Sequence, residues 1–158
     1  MKKIITICLV ALLALTFCAC GNKEETIYNG VGFNTALEEV KEIYEGREPQ
    51  ENSQLRKYKY SEEHFFGIGG DVLYGVGEEN IINAISFLAY PEFANEEGFN
   101  TVIAELAKQF GETIVAPEKY EAETTIVYKA GQTTPMKIQI DYSGGEKLYI
   151  HIVKDNVE

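Results

Sequence analysis

Gly32-Phe33-Asn34-Thr35 occurs a second time, as Gly98-Phe99-Asn100-Thr101, 66 positions further on. Each copy opens a run with helical spacing, 36–44 after the first and 102–110 after the second. The offset persists downstream. Val72, Tyr74 and Val76 align with Ile138, Ile140 and Tyr142, and Ile82 and Ala84 align with Leu148 and Ile150. A fixed period of this length is the mark of one structural unit used twice. The repeats are expected at 32–97 and 98–158.

Within the first unit, Thr35 and Glu38 have the spacing of a capping box, in which each side chain satisfies a backbone donor at a helix start. Leu37, Val40 and Tyr44 fall on one helical face, and Gly46 and Pro49 close the run. In the second unit Ile103, Leu106 and Phe110 form the apolar face and Gly111 ends it, with Ala104 where a capping glutamate would stand. Strands are expected at 55–60, 71–76 and 81–90, and again at 124–129, 136–142 and 147–153. Residues 64–70 read either as a short extra strand or as a glycine-loosened loop. The expected fold is α+β: two tandem helix-plus-three-strand units forming one antiparallel sheet with both helices on one face. This order is similar in topology to the tandem-repeat inhibitors of β-lactamases and to small envelope-assembly lipoproteins of that fold type. A cystatin-like single helix on a sheet is the alternative, and the 66-residue period argues against it.

The N-terminus carries an address. Lys2 and Lys3 precede an apolar run at 4–17, shorter than the roughly 20 residues that a membrane-spanning helix needs. A charged start and a short apolar stretch describe a secretory signal peptide. Its end, Phe17-Cys18-Ala19-Cys20-Gly21-Asn22, resembles the lipobox of bacterial lipoproteins. That resemblance implies cleavage after Ala19 and acylation of Cys20, although Phe17 stands where the family has leucine. A rival frame ends at Cys18 with Leu15 in the expected place, but sets bulky Phe17 at the cut. An ordinary cleaved signal peptide is the remaining alternative. The expected organisation is a signal peptide at 1–19, a lipidated cysteine and tether at 20–30, and a single α+β domain at 31–158.

Cys8, Cys18 and Cys20 are the only cysteines. Cleavage and acylation leave no thiol for a disulfide or a thiolate metal site. The formal charge is −11, and −13 once Lys2 and Lys3 are removed. Nucleic acid, read through clustered Lys and Arg, is therefore not an expected partner. The acidic surface also repels anionic headgroups, so the bilayer is engaged through acylated Cys20, stably only with more than one chain.

The residues for chemistry are few. His64 and His151 are the only histidines. No H-E-x-x-H, no calcium loop and no G-x-S-x-G elbow is present. The pairs Glu38-Glu39, Glu62-Glu63, Glu78-Glu79 and Glu96-Glu97 read as solvated surface rather than metal ligands. Gly67-Ile68-Gly69-Gly70 lacks the following lysine and helix of a phosphate loop. No cofactor or metal is expected, and no enzyme activity. The notable stretch is 81–90, apolar on both faces. If Ile82, Ala84 and Leu88 face the helices, Ile81, Ile85 and Phe87 face away, beside Tyr149, His151 and Val153 of the second unit. Accessible apolar groups with aromatic members mark interfaces. The expectation is a lipid-anchored extracytoplasmic module that binds a protein or an envelope component through this sheet face. A self-associating envelope scaffold is one alternative, and an enzyme of unrecognised type that depends on His64 or His151 is the other. A loop over the face, from 61–70 or 112–122, would make it core instead.

Overall fold

The computed structural model describes residues 25–111, 118–119, 123–130 and 134–155. In chain order the elements are β1 (Thr26–Tyr28), β2 (Val31–Gly32), α1 (Leu37–Ile43), β3 (Gln50–Asn52), β4 (Lys57–Phe65), β5 (Ile68–Val76), β6 (Ile82–Ala89), α2 (Glu96–Phe110), β7 (Glu118–Lys119), β8 (Glu123–Ala130), β9 (Met136–Ser143) and β10 (Lys147–Lys154). β1 and β2 form a hairpin; the other strands form one sheet in the order β3-β4-β5-β6-β10-β9-β8-β7, antiparallel throughout. The fold is α+β, with six long strands and the short strands β3 and β7 at the edges.

Local chemistry moves several expected boundaries. Residues 26–30 are not tether. Asn29 and Gly30 both have positive φ, 48° and 79°, as a type I′ hairpin turn requires, and Ile27 is buried in the core. The Thr35–Glu38 capping box does not form. Thr35 Oγ1 accepts from the Gly32 N–H at 3.0 Å, Glu38 pairs with Lys41, and α1 starts without a side-chain cap. The second Gly-Phe-Asn-Thr lies inside α2 rather than before it. Asn95 starts that helix, its Oδ1 accepting from the Gly98 N–H at 2.9 Å. Residues 61–70 are neither a loop nor an extra strand. They continue β4, turn at Phe66 and Gly67 with φ of 44° and 80°, and begin β5.

Register decides which side chains meet. Val72 of β5 lies opposite Phe87 of β6, Phe87 opposite Ile150 of β10, and Ile150 opposite Ile140 of β9. The next row is Tyr74, Ile85, Ile152 and Ile138. All eight are buried, so these rows are the apolar face of the sheet. Tyr44 of α1 stacks on Tyr60 at 3.8 Å, and Phe99 of α2 stacks on Tyr142 at 4.9 Å. Val40, Val102 and Leu106 complete the same cluster.

The expected facing of β6 is overturned. Ile85 and Phe87 do not face away; both have zero exposure. The cause is a bulge. Val76 pairs with Ile82 but Gly75 pairs with Ala84, which leaves Asn83 as an extra residue. One inserted residue moves everything beyond it to the other face. Ile82, Ile85, Phe87 and Ala89 therefore all enter the core, and Ala84, Ser86 and Leu88 turn outward. Gly77 makes room for the Asn83 amide, since a Cβ there would sit 2.9 Å from Nδ2.

Candidate functional site: the second face of the sheet

Three rows cross the opposite face. Lys57, Gly75, Ala84, Val153 and Lys137 form the first. Lys59, Leu73, Ser86, His151 and Gln139 form the second, and Asp71, Leu88, Tyr149 and Asp141 the third. Gly75, Ala84 and Ser86 give the middle a shallow floor. Leu88 is 38% exposed, and Tyr149, His151, Val153 and Leu73 are half-buried. Lys147 lies over the Tyr149 ring, 5.1 Å from its centroid.

Of the residues assigned to this face from sequence, Tyr149, His151 and Val153 come together on it. Ile85 and Phe87 belong to the core. Ile81 sits before β6 in an isolated bridge to Ala36 and is half-buried. Sequence reading missed Leu73, Ala84, Ser86 and Leu88. The spacing Ile82, Ile85, Phe87, three then two, is the signal for the bulge that reveals them. Cys20 lies outside the described residues, as do most residues of the second proposed cover, 112–122.

Ser86 Oγ and His151 Nδ1 are 2.8 Å apart, the distance of a nucleophile and its base. The surroundings do not complete such a site. Ser86 is 2% exposed and sits mid-strand between β5 and β10, so the adjacent N–H groups are spent in two ladders instead of forming an oxyanion hole. Gln139, opposite His151, gives its amide to Asp141 at 3.1 Å. The pair is best understood as a buried hydroxyl satisfied by an imidazole.

Burial lowers the His151 pKa below its usual value; Lys57 lowers it further, and Asp141 opposes both. Between pH 6.5, near the unfolded pKa, and the lower folded pKa, the unfolded chain binds more protons. His151 therefore contributes stability that is present above about pH 6.5 and lost as pH falls through the folded pKa. Urea unfolding at pH 7.5 and 5 should show a fall in stability that His151→Gln reduces. An unchanged pH dependence in that variant would refute the assignment.

A second polar cluster lies on the apolar face. Glu63, 7% exposed, accepts from Tyr28 Oη at 2.7 Å, from Tyr44 Oη at 3.3 Å and from Arg47, whose other terminal nitrogen reaches the Ser61 carbonyl. Tyr44 Oη also meets Tyr74 Oη at 3.1 Å. Burial pushes the Tyr44 phenol up to about 12 and raises Tyr28 and Tyr74 as well, with Glu63 adding to each. Tyr44 and Arg47, at and just beyond the C-terminal end of α1, both bond to Glu63 of β4, so the cluster is a structural latch between α1 and β4. A pocket of about 270 Å³ beside it is lined by Lys41, Tyr44, Arg47, Pro49 and Tyr58, among others.

The latch also closes an edge. Beyond β3, one side of β4 faces no strand, and side chains occupy its backbone groups. Arg47 takes the Ser61 carbonyl, Tyr28 Oη the His64 carbonyl at 3.1 Å, and Tyr90 Oη the Glu62 N–H at 2.7 Å. A strand whose backbone groups are taken in this way is a poor template for strand addition. Among the described residues no group of three or more His, Cys, Asp or Glu is placed to hold a metal. Comparison of the chain with family models, curated proteins and solved structures returns no match.

Proposed function

We propose that the chain is a lipid-anchored extracytoplasmic module that binds a protein partner through the second face of its sheet. The observation that carries this reading is the accessible group Leu88, Tyr149, His151 and Val153 on a face that also has a shallow floor of small residues. Large apolar groups left accessible together mark docking surfaces, and tyrosine is enriched at the centre of interfaces.

The architecture proposed alongside is two tandem units, each a helix, a short edge strand and three long strands. The mirrored order β3-β4-β5-β6 against β10-β9-β8-β7 supports it. Both helices are proposed to cover the apolar face, since Tyr60 and Tyr142, which meet Tyr44 and Phe99, lie on the same side by register. The anchor is proposed at Cys20. It stands five positions before Glu25, a reach of about 18 Å at most. β1 packs on the apolar face, where Tyr28 meets Phe87 and Gln109 of α2 donates to the Ile27 carbonyl. The lipid is thus tied to the helix side and the docking face is turned away from the bilayer.

The test is photo-crosslinking in cells that make the full-length chain, with a benzophenone amino acid at Tyr149, at Leu88, or at Glu45 of the α1 end as control. Discrete adducts are expected from the first two positions and none from the third. An adduct only from Glu45, or none from any position, overturns the proposal. An adduct of the chain with itself would favour the self-associating scaffold.

A further inference from the structure

We infer that the partner presents an acidic segment with an apolar anchor to this face; the inference rests on the docking reading above. The argument is charge complementarity. The chain has 14 basic and 25 acidic residues. Yet the described strand side chains of this face include Lys57, Lys59, Lys137 and Lys147 against only Asp71 and Asp141. Asp71 is already engaged by Lys59 at 3.2 Å. The described strand side chains of this face are thus net positive on an acidic molecule, and a negative partner is steered toward such a region. Lys57, Lys59 and Lys137 stand at the flanks of the rows, Lys147 stands at the start of β10 over the Tyr149 ring, and the apolar groups lie between them. That is the arrangement of an interface with a desolvated centre and a charged rim.

Two other negative occupants fit less well. An anionic bilayer would have to reach a face opposite to the hairpin that leads to the anchor. A simple polyanion would use the lysines but leave Leu88, Val153 and the Tyr149 ring without a counterpart. A peptide segment that carries carboxylates around an aliphatic or aromatic side chain uses both. Rim charges of this kind act mainly on association rate and salt dependence, so the effect is read best as a change in capture at fixed ionic strength.

The experiment is the Tyr149 crosslink repeated in the full-length chain with Lys57, Lys137 and Lys147 all changed to Glu, to Gln or to Arg; Lys59 stays with Asp71. The expected result has two parts. Adduct yield falls at least tenfold in the Glu set, less in the Gln set and little in the Arg set. The crosslinked peptide, read by mass spectrometry, has an excess of Asp and Glu around an apolar residue. An adduct that persists in the Glu set, that maps to a segment without such an excess, or that has the mass of a lipid or glycan overturns the inference and leaves the face a docking surface. Absence of any adduct from the unaltered chain removes the docking reading itself. Protease resistance of each set in the membrane fraction reports folding; if the Glu set fails it, the Gln set and the peptide composition decide.

Discussion

Phe87→Glu is expected to abolish folding, whereas Leu88→Glu, one residue along the same strand, leaves the domain folded. Phe87 has zero exposure and is enclosed by rings: Phe65 at 4.5 Å, Tyr28 at 5.1 Å and Phe66 at 5.2 Å. Deleting such a side chain costs roughly 3–5 kcal/mol in contacts and cavity. A glutamate adds the desolvation of a carboxylate with no cation in its shell, several kcal/mol more unless it protonates. A domain of this size has a total stability of about 5–15 kcal/mol, so the variant falls at or below the threshold. Leu88, on the other face and 38% exposed, behaves as a surface position, where substitutions stay within about 0.5 kcal/mol. Urea unfolding followed by circular dichroism measures both. A folded Phe87→Glu and an unfolded Leu88→Glu would restore the facing read by straight alternation and refute the bulge at Asn83.

This pair of residues also shows how much of the molecule is legible in sequence. The class, the strands of both halves and most core positions follow from alternation, since Val72, Tyr74, Ile138, Ile140, Leu148 and Ile150 obey a period of two and all are buried. The candidate face was half legible. Tyr149, His151 and Val153 follow from the regular β10. Their neighbours on β6 do not, because alternation was carried straight through Asn83. A bulge is a local exchange of one unpaired residue for better burial beyond it, and it has no composition of its own. The clue was energetic: straight alternation exposes Ile85 and Phe87 while burying Ala84. The repeated Gly-Phe-Asn-Thr misled for a related reason. The same four residues precede a helix when Thr35 bonds back to Gly32, and lie inside one when Asn95 supplies the cap. Local sequence proposes a cap, and the upstream neighbour decides where the helix starts. The Glu63 cluster had no linear signature at all, because Tyr28, Tyr44, Glu63 and Tyr74 meet only through tertiary contact.

Glu63→Ala is the second substitution with a large expected effect, a loss of about 2–3 kcal/mol, the range for removing a buried charged acceptor of hydrogen bonds. The carboxylate accepts from Arg47 and from the hydroxyls of Tyr28 and Tyr44; alanine removes that shared acceptor and leaves each donor only its second partner, the Ser61 carbonyl, the His64 carbonyl and Tyr74 Oη. Glu63→Gln should cost less, because an amide oxygen still accepts from one or two of them. Arg47→Ala should also cost less, because the Arg47 side chain is 45% exposed and Glu63 keeps both phenols. Removing Arg47 in the Glu63→Ala background should then cost less than removing it alone, a positive coupling that a double-mutant cycle measures directly. The loss should be local before it is global. α1 has seven residues, too few to hold helical structure by itself. It is kept in place by Leu37, Val40 and Tyr44 against the sheet and by this carboxylate at its C-terminal end. Amide hydrogen exchange should therefore accelerate across 37–47 in Glu63→Ala while β9 and β10 stay protected. Uniform acceleration through the whole sheet would mean that Glu63 holds the core as one unit, and the latch between α1 and β4 would be the wrong description.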